Sequence, residues 1–457
     1  MTLAIAAAHL LLPSGWVSPG YLIVDDDGTI RRAAAGAVDR AELTLNGFVV
    51  PGMANLHSHA HHRGLVGHAD RLQPGSSATL WSWRAVMYRH VLGLTPEDLQ
   101  AYATLAYVEM LRRGYTSVGE FHYIHHDLDG ARYANAAEMS ERIVASADTA
   151  GIALTILPTF YTSGGVGRPA EPEQRRFTTD LEEYMALVAR LDELASGKSL
   201  MRVGVAPHSL RAVSPSELTA LLEARPTGPV HIHAAERTEE VQEILAGLGA
   251  RPVEWLLAEA GVAERWCVIH ATHMTAAERR ALAVSGAVVG VCPLTEANLA
   301  DGRFPLAAYR HDGGRLGVGT DANHSIDLSG ELRMLEYGQR LADHRRETVL
   351  AHDERSVGAA LYRLAGAGGA QALGQPTAVI EPGARCDLVE LDPEHPALLG
   401  QTAETVLDAW IFSSSSEAIV RTVLVAGRPV VSEGRHPHEL AARRRVAEVM
   451  RRSHEAH

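Results

Sequence analysis

Cysteine is scarce: Cys267, Cys292 and Cys386 are the only three in 457 residues. They show neither CxxC nor zinc-finger spacing and cannot all pair, which excludes a disulfide-stapled fold and points to a reducing cytoplasm. No stretch approaches the ~20 apolar residues needed to span a bilayer. The opening Met1-Thr2-Leu3-Ala4-Ile5 lacks the basic n-region of a signal peptide, so no secretory leader is expected. Positive charge is in deficit, with 42 Lys and Arg against 55 Asp and Glu, a net charge of −13. That balance gives no general pull toward nucleic acid or anionic membrane, and an anionic ligand must be met by local arginines. Aromatic residues are few at 5%, which disfavours a pocket built for nucleobase stacking. No GxGxxG follows the first strand to support dinucleotide binding. What the chain has in excess is histidine, 24 residues, and this directs attention to a metal. A content of 46% hydrophobic and 21% charged residues excludes disorder as the dominant state.

Both ends read as β-structure. Gly20–Asp25 and Thr29–Arg32 flank an Asp27-Gly28 turn, a hairpin signal, and similar texture returns at Cys386–Leu391 and Val423–Val431. One small β-domain made from both termini is expected. The middle has another rhythm. Short apolar runs recur near residues 48–56, 115–120, 152–157, 201–205, 229–233, 266–270, 287–292 and 316–320. Helix-like stretches separate most of them, including Pro96–Arg113, Asp180–Ala195, Ser216–Ala224, Val253–Ala260 and Ala276–Val284. Strands alternating with helices indicate an α/β fold with a parallel sheet, and eight runs indicate a (β/α)8 TIM-type barrel; a doubly wound open sheet is the runner-up. Ser163–Pro169 reads as a flexible loop, either a lid or oligomer contact or a solvated connector. Ser413–Ser416 reads as a loop, and the basic end around Arg443–Arg445 as a solvated surface helix.

The ends of the apolar runs carry the chemistry. His57-Ser58-His59 ends the first run, and period 2 puts both imidazoles on one strand face. Alone, this HxH is as consistent with two satisfied polar residues at a loop start. With His233 after the fifth run and Asp321 after the eighth, three imidazoles and a carboxylate make a donor set suited to Zn or Fe. Glu236, three residues after His233, is a candidate general base for an attacking water and acid for a leaving nitrogen, whereas Glu239 and Glu240 read as surface glutamates. His270 is a candidate hydrogen-bonding partner for the water or leaving group; His273 lies past its strand and reads as structural.

An HxH, a strand-five His with HxxE, a strand-six His and a strand-eight Asp together resemble the amidohydrolase superfamily. The absence of lysine from Val203-Gly204-Val205-Ala206 favours its mononuclear deaminase branch. Longer strings between residues 45 and 345 resemble the formimidoylglutamate deiminase family. They include Leu56-His57-Ser58-His59-Ala60, Glu120-Phe121-His122-Tyr123-Ile124-His125-His126-Asp127, His208-Ser209-Leu210-Arg211-Ala212-Val213 and Thr295-Glu296-Ala297-Asn298-Leu299.

The resemblance implies hydrolysis of N-formimidoyl-L-glutamate by one divalent ion, Zn or alternatively Fe, on His57, His59, His233 and Asp321. It implies catalysis by Glu236, His270 and Asp321, and substrate contacts from His62, Arg84, Tyr123, His208 and Arg211. It further implies a barrel over 49–374, a β-sandwich from 1–48 and 375–435, and a helical tail over 436–457. A cytoplasmic homodimer with no nucleic-acid or membrane partner is expected. The sequence departs from the family pattern at His61 and His62 and at Ala322-Asn323-His324. Alternatives are a deaminase of a nucleobase or guanidine, a non-catalytic barrel scaffold and a structural zinc protein. The arginines disfavour the first, retention of Glu236 and His270 the second, and the lack of cysteine ligands the third.

Overall fold

The structure, a computed structural model, describes residues 2–68, 80–346, 348–352, 354–413 and 419–455. All of the Ser413–Ser416 segment after Ser413 lies outside the described residues. The chain starts with β1 (Leu3–Leu12), β2 (Gly15–Val17), β3 (Gly20–Val24), β4 (Ile30–Ala35) and β5 (Leu43–Pro51). The Asp27-Gly28 turn folds β3 against β4 as an antiparallel hairpin, with Gly28 at a φ of 85° that suits glycine. Gly52 alone separates β5 from β6 (Met53–Ser58), the strand that carries His57.

The middle continues with β7 (Tyr115–His122), β8 (Ala153–Phe160), β9 (Ser163–Gly165), β10 (Arg168–Pro169), β11 (Met201–Val203) and β12 (Ala206–Pro207). After these come β13 (Val230–Ala234), β14 (Trp266–His270), β15 (Val288–Val291) and β16 (Arg315–Val318). Every expected apolar run is a strand. The fourth is split in two because its backbone changes partner: Gly204 N donates to Ile156 O, whereas Val205 N donates to Pro229 O. The helices expected between the runs are present, among them Pro96–Arg112, Leu181–Ala195 and Pro215–Ala224. Thr95, Ser214 and Thr275 each start a helix with a capping box, satisfying amides that the first turn leaves without partners. Ser163–Pro169 is not a flexible loop. β9 and β10 form a hairpin, and Glu243 accepts from Val166 N and from Arg168 Nη2.

Parallel pairing orders these strands in two sheets. One runs β11-β8-β7-β6 with β12 also on β8, and the other runs β13-β14-β15-β16. Isolated parallel bridges connect their margins, Val205 with Val230 and Ser58 with Asp321. Strands β6, β7, β8, β13, β14 and β15 are buried along their whole length, as expected for parallel strands covered on both faces.

The last strands, β17 (Leu388–Leu391), β18 (Val420–Val425) and β19 (Arg428–Val431), return to the first ones. Together they make one eight-stranded sheet in the order β19-β18-β17-β5-β1-β3-β4, with β2 on β1. Val389 of β17 stands opposite Val50 of β5. This sheet has its own core of Ile5, Leu10, Leu22, Ile30, Leu388 and Leu424. The terminal helix Glu439–Glu455 lies on Pro96–Arg112, tied by Arg112 to Glu439 and by Arg452 to Asp98. Among the described residues no helix is long and apolar enough to cross a membrane.

Candidate metal centre and pocket

The ends of the parallel strands bring the expected residues together. Asp321 N donates to His57 O and His59 N donates to Asp321 O, both at 2.9 Å, which stitches the end of β6 to the segment after β16. Gly319 makes this approach possible: a Cβ there would lie 2.8 Å from His57 Cβ and from its carbonyl oxygen. Several residues at this mouth hold a left-handed backbone, namely Ala235 (φ 52°), His270 (67°), Ala271 (49°), Asp321 (45°) and Asn323 (52°). Such conformations cost roughly 1–3 kcal/mol each outside glycine and persist where the surroundings over-determine them. Here they turn Glu236, His270 and Asp321 back toward the strand ends.

Three imidazoles and a carboxylate converge. His57 Nε2 lies 3.1 Å from His233 Nε2 and 3.3 Å from Asp321 Oδ1, and His59 Nε2 lies 3.3 Å from the same oxygen. His59 Nδ1 donates to Phe121 O at 2.8 Å and His233 Nδ1 to His208 O at 3.0 Å, so both rings present the Nε2 lone pair to the centre. Burial, then neighbouring imidazoles, pushes His57 and His233 well below the usual histidine range; burial also lowers His59, against the pull of Asp321. Imidazoles kept neutral by burial, converging with a carboxylate, fit a divalent cation, and these residues could hold one. The thiol of buried Cys292 completes a second potential ligand group with His270 and Asp321. Spacing in the sequence gave no sign of it.

A polar clamp supports this centre. Asn55 Nδ2 donates to Thr320 Oγ1 and Thr320 Oγ1 to Asn323 Oδ1. Asn323 Nδ2 donates to Ser58 Oγ (3.1 Å) and His59 O (3.0 Å). The departure at Ala322-Asn323-His324 thus places a buried amide where it holds the backbone of His59. Asn323→Ala is expected to lower stability by roughly 3 kcal/mol, about 1 for each buried hydrogen bond lost. Urea unfolding of the variant measures it.

Glu236 and His270 face each other, with Glu236 Oε1 3.9 Å from His270 Nε2. On its far side, His270 Nδ1 donates to Glu296 Oε1 at 3.2 Å, and that oxygen also accepts from Cys292 N. Burial would lower the His270 pKa, but Glu236, Glu296 and Asp321 outweigh it and hold the ring up at about 10. Glu239 is exposed as expected. Glu240 is not a surface residue: its buried carboxylate accepts from Glu236 N at 2.9 Å and anchors the turn that aims Glu236. His273 is structural, with Nε2 donating to Asp301 O.

A pocket opens over the centre, concave and mostly apolar, with polar groups converging on it, as small-molecule sites are. His62, Arg84, Tyr123, His208 and Arg211 all line it, beside His59, His233, Glu236, His270 and Asp321. Arg211 Nε is buried without a hydrogen-bond partner, and no carboxylate of the described residues pairs with this guanidinium. Burial disfavours its charge, but Glu240, Tyr161 and Glu236 nearby sustain it. Arg84 Nε donates to Tyr88 OH at 2.6 Å, with the guanidinium carbon 5.0 Å from the Tyr88 ring centroid. His62 Nε2 and Tyr123 OH are 2.6 Å apart. Sequence reasoning missed Tyr88, Tyr161, Phe177 and Trp83 on the same wall.

Comparison with known proteins gives consistent results. Residues 48–430 match the model of the amidohydrolase family. The chain is 45% identical over 452 residues, 98% of each chain, to formimidoylglutamate deiminase of Pseudomonas aeruginosa. It is 29% identical, over 94% of its length and 93% of the relative's, to 5-methylthioadenosine/S-adenosylhomocysteine deaminase of Natronomonas pharaonis. The crystal structure of an amidohydrolase from Brucella melitensis superposes with a TM-score of 0.92 at 43% identity, covering 98% of both chains.

Proposed function

The chain belongs to the amidohydrolase family, and from that premise we propose that it hydrolyses N-formimidoyl-L-glutamate to N-formyl-L-glutamate and ammonia in histidine degradation. One observation carries the reading. In a chain 45% identical to a formimidoylglutamate deiminase, a single pocket joins a His3Asp cluster and a facing Glu–His pair to an arginine whose buried Nε has no hydrogen-bond partner among the described residues.

His57, His59, His233 and Asp321 would hold the ion, zinc in preference to iron. When bound, it supplies Lewis acidity and lowers the pKa of water toward neutrality. Glu236 takes a proton from the attacking water as its oxygen bonds to the formimidoyl carbon. That carbon becomes tetrahedral and its nitrogen takes the proton from Glu236. Glu236 then moves the second water proton from the new hydroxyl to the same nitrogen, so that C=O forms as the C–N bond breaks and ammonia leaves. His270, held by Glu296, hydrogen-bonds the incoming oxygen, and Asp321 orients it. Arg211 and Arg84 bind the two carboxylates, since planar guanidinium suits carboxylate, and His62, Tyr123 and His208 complete the enclosure.

The same proposal extends to architecture. The two parallel sheets, bridged at both margins, form one (β/α)8 barrel over 49–374. The terminal sheet over 1–48 and 375–435 curls into a β-sandwich, supported by its separate core and by the Thr29–Arg385 bridge, and 436–457 is a helical tail. A cytoplasmic homodimer, free of nucleic-acid and membrane partners, is part of this reading.

The test is ammonia release from N-formimidoyl-L-glutamate by metal-analysed protein, with N-formimidoyl-L-aspartate and guanine as comparators. His57→Ala or Asp321→Asn is expected to remove bound metal and turnover together, by elemental analysis and initial rates. Full activity in a metal-stripped sample would refute the assignment.

A further inference from the structure

Gln174 is fully buried at the end of the short turn Pro172–Gln174, behind the pocket wall. One neighbour sets its amide orientation. The backbone N–H of Glu171 can only donate, and it meets Gln174 Oε1 at 2.7 Å. The amide nitrogen therefore faces the other way, donating to the phenol oxygens of Tyr161 at 2.7 Å and Tyr88 at 3.2 Å. The Tyr88 oxygen also accepts from Arg84 Nε. A phenol has a single proton to give, and a neighbour that only donates leaves that proton unused. Among the described residues neither phenol donates to a protein acceptor, and both line the pocket. The Tyr161 ring lies 4.8 Å from that of His208, which lies 5.0 Å from that of His233, so this wall stands one imidazole away from the metal centre.

We propose that Tyr88 and Tyr161, with their hydroxyls turned by Gln174, are specificity-determining hydrogen-bond donors for the substrate carboxylate that Arg84 faces. The proposal rests on the reading of the substrate as a formimidoyl dicarboxylate. A carboxylate only accepts, so it satisfies both phenol protons, whereas an ammonium at the same place accepts neither and an amide offers one accepting oxygen in place of two. Charge-assisted O–H···O⁻ bonds are short and strong, and the selection adds to that of the guanidinium.

The variants are Tyr161→Phe, Tyr88→Phe and Gln174→Glu in the metal-loaded full chain. Gln174→Glu keeps the shape and the Glu171 contact, but its carboxylate accepts the phenol protons and takes them from the pocket. Each variant is expected to raise KM for N-formimidoyl-L-glutamate about 10- to 100-fold, the worth of a hydrogen bond to a charged group, with kcat little changed. An N-formimidoyl alkylamine, which lacks both carboxylates, should show unchanged kcat/KM. Unchanged KM, or equal losses on substrates with and without carboxylates, overturns the proposal. Glutarate affinity by calorimetry provides a second arm. If the wild type releases no ammonia from formimidoylglutamate, the proposed function falls. Glutarate bound by the wild type and weakened 10- to 100-fold in the variants then still upholds the donor wall; glutarate bound equally, or not at all, overturns it. Tyr161→Phe deletes one oxygen and keeps the ring packing, so it decides the matter if the Gln174 variant fails to fold.

Discussion

Glu236→Gln is expected to lower kcat by about 10²- to 10⁴-fold while the protein keeps its metal, because glutamine preserves the shape and cannot carry the proton. Its effect should fall on kcat and kcat/KM alike, as for an interaction made in the transition state. Glu236 is outside the converging set of His57, His59, His233 and Asp321, and Glu240 holds its backbone independently of its carboxylate. The variant therefore removes a proton carrier and leaves a positioned side chain. Elemental analysis alongside initial rates checks both halves. Loss of metal with an unchanged rate per bound ion would make Glu236 structural.

Arg211→Met should reduce kcat/KM for N-formimidoyl-L-glutamate about 30- to 4,000-fold, mainly through KM. Truncating one partner of a buried charge pair costs ~2–5 kcal/mol, and 1.4 kcal/mol is tenfold. Among the described residues Arg211 forms no ion pair with a carboxylate, although buried Glu240 lies in its field, so the loss should fall mainly on ligands that carry carboxylates. Arg211→Lys should recover only part, since an ammonium lacks the planar fork. A formimidoyl amine lacking both carboxylates should scarcely register either change. Equal losses on both substrates would assign Arg211 to the loop after β12.

The converging histidines were legible because strand geometry works over short distances. Two histidines two apart share a face, and a strand end is where a parallel α/β fold gathers its chemistry. Glu296, Glu240 and Asn323 were not legible, since each matters through what it reaches. Glu296 meets a ring 26 residues away and Asn323 a carbonyl 264 residues away. Gln174 and the two phenols belong to this class, as the phenols look in sequence like ordinary core aromatics. The β9–β10 hairpin was missed because strands of two or three residues carry no periodicity, and glycine-rich segments look like connectors. For the terminal sheet the strands were readable and their pairing was not: Gly47 N donates to Glu390 Oε1 across 343 residues.

That long-range pairing sets an order of events at the ribosome. β5 runs through Gly52 into the strand bearing His57, with His59 just beyond its end, and one of its two edges is completed by β17. At about 5–20 residues per second, tens of seconds separate synthesis of the ligand strand from arrival of Leu388–Leu391. Through that interval Phe48, Val49 and Val50 offer an apolar edge with open backbone groups, the kind of edge that recruits strands from other chains. Nascent-chain protection of residues 43–51 thus bears directly on the yield of active enzyme, and the sheet that continues into β6 is completed by late-made strands that carry none of the proposed ligands or catalytic groups.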